Sequence, residues 1–141
     1  VTVVQDLLSL QSTSGMAFCL HEARIGQITS ASVGNLAISF KRFSGAYTIG
    51  SGGSAVTGQK INFGDPAATV TGRANDTTQA TGGTSVTLIS DVYNVVNGYY
   101  WLPAPNDQII IAPSQALVMS LDTAPGSSQT MSGTIVIEEM F

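Results

Sequence analysis

Apolar residues recur at every second position through much of this chain, in short runs cut by turn formers. Leu36, Ile38 and Phe40 alternate with Ala37, Ser39 and Lys41. Leu117, Met119 and Leu121 alternate with Val118 and Ser120, and Ile135 and Ile137 with Thr134, Val136 and Glu138. In another run Val86, Leu88 and Val92 share one face, with Ser90 the exception, while Ile89 and Tyr93 point the other way. Period-2 patterning between turn residues predicts β-strands. From residue 98 to residue 139 three apolar runs follow one another, 109–111, 117–121 and 135–137, punctuated by Pro103, Pro105, Pro113, Pro125 and Gly126. They read as successive antiparallel strands, and their apolar face needs a second sheet to cover it.

The remaining chain supplies candidates for that sheet. Residues 1–10 read as helix or strand, because Val3-Val4 and Leu7-Leu8 put apolar side chains on both faces of a strand; the β-rich context favours a strand. Residues 16–25 predict a long strand with Met16, Phe18 and Leu20 on one face. That face runs on into Glu22 and Arg24, so a β-bulge near His21 or Glu22, or a strand end leaving the core, is expected. Residues 44–59 are Gly- and Ser-rich and read as a long loop or edge excursion. Residues 61–63 and 68–71 are short strand candidates, 72–84 a second polar loop, and Asn97-Gly98 a hairpin turn. The sum is an all-β, antiparallel two-sheet jelly-roll sandwich of roughly nine or ten short strands, a single domain over residues 1–141 with little or no helix.

Composition narrows the function classes. Only 10% of residues are charged and 43% are hydrophobic, with a net charge of −4. A surface so poor in charge suits uncharged polar exposure or cover by other protein, as in assembly subunits. The five basic residues are dispersed, which argues against nucleic acid as a partner. No apolar stretch approaches the ~20 residues of a membrane-spanning helix, so no membrane is expected either.

Candidate chemistry is thin. Cys19 and His21 are the only soft metal ligands in the chain, too few for a structural zinc. Cys19 is also the only cysteine, so no intrachain disulfide forms. The stretch from Gly53 to Lys60 nearly matches a phosphate-binding loop, but its lysine comes one residue late and Ile61 stands where Ser or Thr would bind magnesium. No Gly-x-Ser-x-Gly occurs, and nothing singles out a pair among the carboxylates. We expect no enzyme activity and no cofactor. Tyr99, Tyr100 and Trp101 sit in the densest aromatic cluster. Tyr99 and Trp101 would share a strand face, either as core packing or as a platform for a sugar ring. The platform is the feature of the second reading, a carbohydrate-binding module or the receptor-binding head of a fibre.

Three groups of residues carry a family likeness: Glu22-x-Arg24-Ile25-Gly26, the stretch from Phe63 to Ala68 (FGDPAA), and the closing block with Gly98–Pro103, IIIAP ending at Pro113, Leu117–Leu121 and SGTIVIEE ending at Glu139. In this order they resemble a family of small jelly-roll proteins of tailed-phage particles, the capsid decoration or cement proteins. The Gly-rich segment 44–58 has no counterpart in that pattern. The resemblance implies a non-enzymatic virion subunit on the capsid surface, a homo-oligomer with a trimer favoured, seated on the major capsid protein. Contacts to other protein are then expected at exposed edges and termini. The candidates are Val1, Thr2, Val3 and Val4, as an arm that adds a strand to a neighbour's sheet, and Tyr47 and Ile49, in a loop that orders on docking.

Overall fold

The computed structural model describes residues 1–28 and 34–140. Ten strands run in chain order: β1 (Gln5–Gln11), β2 (Ala17–Gln27), β3 (Asn35–Thr48), β4 (Ser54–Thr57), β5 (Thr71–Asp76), β6 (Thr81–Asn94), β7 (Tyr99–Trp101), β8 (Ile109–Ile111), β9 (Ala116–Leu121) and β10 (Met131–Met140). Among the described residues there is no helix. Every strand pairing is antiparallel. The large sheet has the order β4-β5-β1-β9-β3-β6; the small one has β10-β2-β7, with β8 also paired to β2.

The pairings nest. β3 pairs with β6, β2 with β7 and β8, and β1 with β9, and the β9–β3 pairing closes the roll. A long hairpin rolled up on itself has this winding, which is that of a jelly roll. Two additions depart from it: the β4–β5 hairpin extends the large sheet beyond β1, and β10 takes the other edge of β2.

The core lies between the sheets. Phe18, Leu20, Ala23, Ile38, Phe40, Ile111 and Leu121 are fully buried there. Two bulges reconcile sequence and burial. On β1 the register against β9 shifts between Asp6 and Leu8. Leu7 is the extra residue, and both Leu7 and Leu8 pack on the core, which removes the objection to a strand at residues 1–10. Opposite β10, Glu22 pairs with Val136 and Leu20 with Ile137. His21 is therefore the extra residue, and core facing passes from Phe18 and Leu20 to Ala23 and Ile25. Bulges re-aim side chains in this way.

Several expectations from the sequence are corrected. The three closing runs are not neighbours: β9 lies in the large sheet, while β8 and β10 pair with β2 in the small one. Asn97-Gly98 closes no hairpin, because β6 and β7 belong to different sheets. The chain turns a corner there, with Asn97 and Gly98 N–H groups both donating to Asn94 O at 3.1 Å. Gly98 sits at φ 73°, and a Cβ on it would stand 2.9 Å from Ile25 O. Residues 61–63 and 68–70 form no strand, whereas the supposed loop 72–84 contains β5 and the start of β6. On β6 it is Ile89 and Tyr93 that face the core, since they pair with Phe40 and Leu36; Val86, Leu88 and Val92 face solvent.

Segment 44–59 is neither a free loop nor core. β3 runs on to Thr48, and β4 pairs with β5 at the far edge of the sheet. To get there and back the chain crosses the outer face of β1 and β9 twice, at residues 49–53 and 77–80. The two crossings bond to each other through Ser51 and Thr78, N–H to O at 3.0 Å both ways. This strap explains why all six residues of β9 are buried, on both faces. Phe43, Ala116 and Val118 form a second small apolar cluster beneath it, joined by Tyr47, Ile49 and Ala80.

Candidate interaction surface

The two groups of contact candidates fare differently. Val1 is held inside the subunit: its amino group donates to Gln129 O at 2.6 Å, and Gln129 N–H donates back to Val1 O at 3.0 Å. Gln5 to Gln11 form an interior strand between β5 and β9. An arm that adds itself to a neighbour's sheet is therefore not available from residues 5–10, because both edges of β1 are already paired. Thr2, Val3 and Val4 remain exposed. Tyr47 and Ile49 pack under the strap against Phe43, with the Tyr47 and Phe43 ring centroids 6.2 Å apart. They are ordered within the subunit and need no docking to become so.

The aromatic trio is split by the period of the strand. Tyr99 is 8% exposed and points inward, its ring 5.8 Å from Tyr93 and 6.3 Å from Phe40. Its hydroxyl donates to Asp91 Oδ2 at 2.8 Å. Burial, with Asp91 beside it, pushes the Tyr99 phenol well above its ordinary range. Trp101 stacks at 5.6 Å from Phe40. Tyr100 alone of the three is solvent-exposed, so Tyr99 and Trp101 build core and no sugar platform.

The polar clusters are structural in their bonding. Gln108 bridges Cys19 and His21: its Oε1 lies 3.4 Å from Cys19 Sγ and its Nε2 2.8 Å from His21 Nδ1. His21 Nε2 lies 2.9 Å from Glu138 Oε2. Burial, with Glu138 near, raises the Cys19 thiol pKa, the opposite of what a nucleophile needs. Among the described residues no three His, Cys, Asp or Glu side chains cluster as metal ligands. The near phosphate loop falls on β4 and the extended segment after it, without the helix N-terminus that such a loop feeds.

One cluster escaped the sequence reading. Asp6 and Asp76 face each other across β1 and β5 and are 1% and 0% exposed. Asp6 accepts from Ala80 N–H at 2.6 Å and from Ser120 Oγ at 2.8 Å. Asp76 accepts from Gly53 N–H at 2.9 Å and from both Arg73 nitrogens at 2.7 and 3.0 Å. Each carboxylate thus ties one crossing of the strap to the sheet. Desolvation raises the Asp6 pKa above its ordinary value against the pull of these hydrogen bonds. Gly50 closes over the pair: a Cβ on it would lie 2.7 Å from Thr78 O and 3.0 Å from Asp6 Oδ2. The sequence signals were Asp6 inside an apolar run and Arg73-x-x-Asp76.

Exposed apolar side chains are scattered over the subunit, Val3, Val4, Val96, Leu102 and Ile110 among them, and β6 and the loop between β4 and β5 carry others. β6 is a fourteen-residue strand at the edge of the large sheet, and three of its apolar side chains are exposed: Val92 on the outer face opposite Ala37, Leu88 at the bulge, and Val86 opposite Arg42 on the other face, beyond the core. The loop between β4 and β5 carries Ile61 and Phe63, 79% and 96% exposed. No family model matches the chain, and neither a curated protein nor a solved structure does.

Proposed function

We propose that this protein is a non-enzymatic structural subunit of a tailed-phage particle, a capsid decoration protein that stabilises the shell through protein–protein contacts, with the major capsid protein as its partner. The observation that carries this reading is β6. Its outer edge presents backbone N–H and C=O groups with no strand beside them, and the strand carries three exposed apolar side chains, Val86, Leu88 and Val92, distributed over both faces and the bulge. Soluble proteins blunt such edges with charge, proline or cover. Here the only charged residue on β6 is Asp91, which is engaged by Tyr99. A subunit repeated over a shell sums many such weak contacts. The jelly roll agrees with the family resemblance, although fold by itself carries no function. The sugar-binding alternative loses its support with the inward turn of Tyr99 and Trp101.

The test is immunogold labelling of particles purified from cultures that encode the chain. Regular label on the capsid surface is expected, together with loss of binding to stripped shells when Val86 and Val92 are both replaced by Lys. Protein found only off the particles overturns the reading.

A further inference from the structure

The β4–β5 loop leaves a large aromatic side chain with nothing to pack on. Phe63 is 96% exposed and Ile61 79%, and the loop is nevertheless built. Asp65 N–H donates to Asn62 O at 3.2 Å, Lys60 Nζ donates to Asp65 O at 2.8 Å, and the Lys60 ammonium sits 5.7 Å from the Phe63 ring centre. A tethered turn holding a phenyl ring out in water is a knob. Apolar surface displayed in this way marks a contact.

The same molecule has a hole. Between the sheets, where β10 faces β1 and β5, lies a cleft of about 310 Å³ lined by Leu7, Leu8, Ile25, Met119, Met131 and Ile135. Polar residues line it too, Asn75, Gln129 and Thr134 among them, with Val1, whose amino group is bonded to Gln129 O; no charged side chain does. Apolar cavities of ~150 Å³ take a benzene ring, and the methionines on the apolar wall of this cleft can adapt their shape to an aromatic guest. The knob brings no bare charge either, since Lys60 is bonded to its own loop.

Knob and cleft lie on one side of the sandwich, at opposite ends of the same strands. The loop is anchored where Glu139 Oε1 accepts from Thr69 and Val70 N–H at 2.7 and 2.6 Å. The cleft lies at the other end of β10, beside Met131 and Ile135, and at the other end of β5, beside Ala74. Two copies placed side by side and antiparallel put each knob opposite the other's cleft. We infer that the partner of this surface is a second copy of the chain, with Phe63 of each copy inserted in the inter-sheet cleft of the other. Such a contact closes as a two-fold pair, in contrast to the three-fold ring implied by the family resemblance. Two phenyl rings, two Ile61 side chains and the cleft walls they cover amount to about 1,000 Å², the low end for a specific interface. A reversible dimer of micromolar strength follows.

This inference shares with the proposed function only the premise that exposed apolar surface is contact surface. Sedimentation of the purified full chain needs no shell, so either reading fails without the other. A concentration-dependent dimer is expected for the natural sequence. Phe63→Ser should weaken dimerisation by about a hundredfold or more with no change in melting temperature, because Phe63 packs on nothing in its own subunit. Asn62→Cys combined with Thr134→Cys, the first beside the knob and the second at the cleft rim, leaves Phe63 in place and should give a disulfide-linked dimer on mild oxidation, with the 62–134 bridge found by peptide mapping. A chain that stays monomeric to about 500 µM, well above the range for such an interface, overturns the inference. So does a trimer, a Phe63→Ser variant that associates as tightly as the natural chain, or the absence of the 62–134 bridge.

Discussion

The outer face of the large sheet and the β4–β5 loop invert what hydropathy predicts. Beneath the strap Asp6, Ser9, Ser39 and Ser120 are each 1% exposed, while Ile61 and Phe63 on the loop are 79% and 96% exposed. Polar groups are inside and apolar ones outside because of where the chain has to go. β4 and β5 sit at one edge of the sheet and β3 and β6 at the other, so the chain must cross β1 and β9 twice, and whatever lies beneath is buried. Beyond the β4–β5 hairpin there is no further layer, so its loop finds no cover within the subunit. The buried polar face persists where it is bonded. Asp6 and Asp76 have several donors each, whereas the hydroxyls of Ser9 and Ser39 find no partner, a cost of about 1–3 kcal/mol for each group left without a hydrogen bond.

The comparison can be broken first at β9, which both layers bury. Leu117→Ala should cost about 2–5 kcal/mol, the range for a large-to-small change in a packed core, read from chemical denaturation. Next comes the strap anchor. Asp76→Ala leaves Gly53 N–H and the Arg73 guanidinium without their acceptor and should cost about 1.5–3 kcal/mol, since the lost bonds are charge-assisted. Hydrogen exchange at Gly53 and Ser51 should accelerate with it. If exchange there stays slow, Asp76 does not hold the strap.

Much of the sandwich was legible in the sequence, and the misses have physical causes. Alternation at 36–41 and 117–121 located β3 and β9 because both strands put one apolar face on the core. The anomaly at Glu22 and Arg24 announced the His21 bulge, because an unbroken register would have buried both charges. Pairing was not legible: β8, β9 and β10 share a local pattern, and their assignment to two sheets depends on contacts far along the chain. β5 was missed because TGRAND has no apolar alternation; it is a strand only because β1 and β4 pair with both its edges. Low overall charge did not indicate where exposed apolar surface lies. Phe63 was not singled out, since nothing in a local pattern says whether a loop has cover.

The Asp6 carboxyl sharpens the comparison through pH. Its pKa is raised in the folded chain, with burial the leading cause, so the native state binds a proton more tightly than the unfolded one. The Asp6 contribution to stability is then fully present below the ordinary value of 3.8 and is lost as pH rises through the higher folded value. Asp6→Asn should remove that dependence. Its denaturation midpoint, compared with the natural chain's from roughly pH 3 to pH 6, should converge toward or overtake it as pH rises. A difference between the two chains that is constant with pH would show that Asp6 keeps its ordinary affinity for protons beneath the strap.

The smallest effect is expected on β6, where the sequence alone suggests a large one. Val86, Leu88 and Val92 form an apolar pattern like that of β9, but the bulge at Leu88 breaks it and leaves Val86 beyond the core and Val92 on the outer face, with 38%, 36% and 69% exposure. Replacing all three by Thr keeps β-branching or β propensity and removes apolar surface that is mostly in water at Val92 and more than a third so at Val86 and Leu88. Each change should shift stability by no more than about 0.5 kcal/mol, against several for Leu117. On the proposed function, the same triple variant should lose affinity for shells, because it strips the apolar side chains that would contact a neighbour. A loss of several kcal/mol in the isolated subunit would mean that these side chains are covered within the subunit. β6 would then belong with β9, and exposed apolar contact surface would have to be sought on the β4–β5 loop and at side chains such as Leu102 and Ile110.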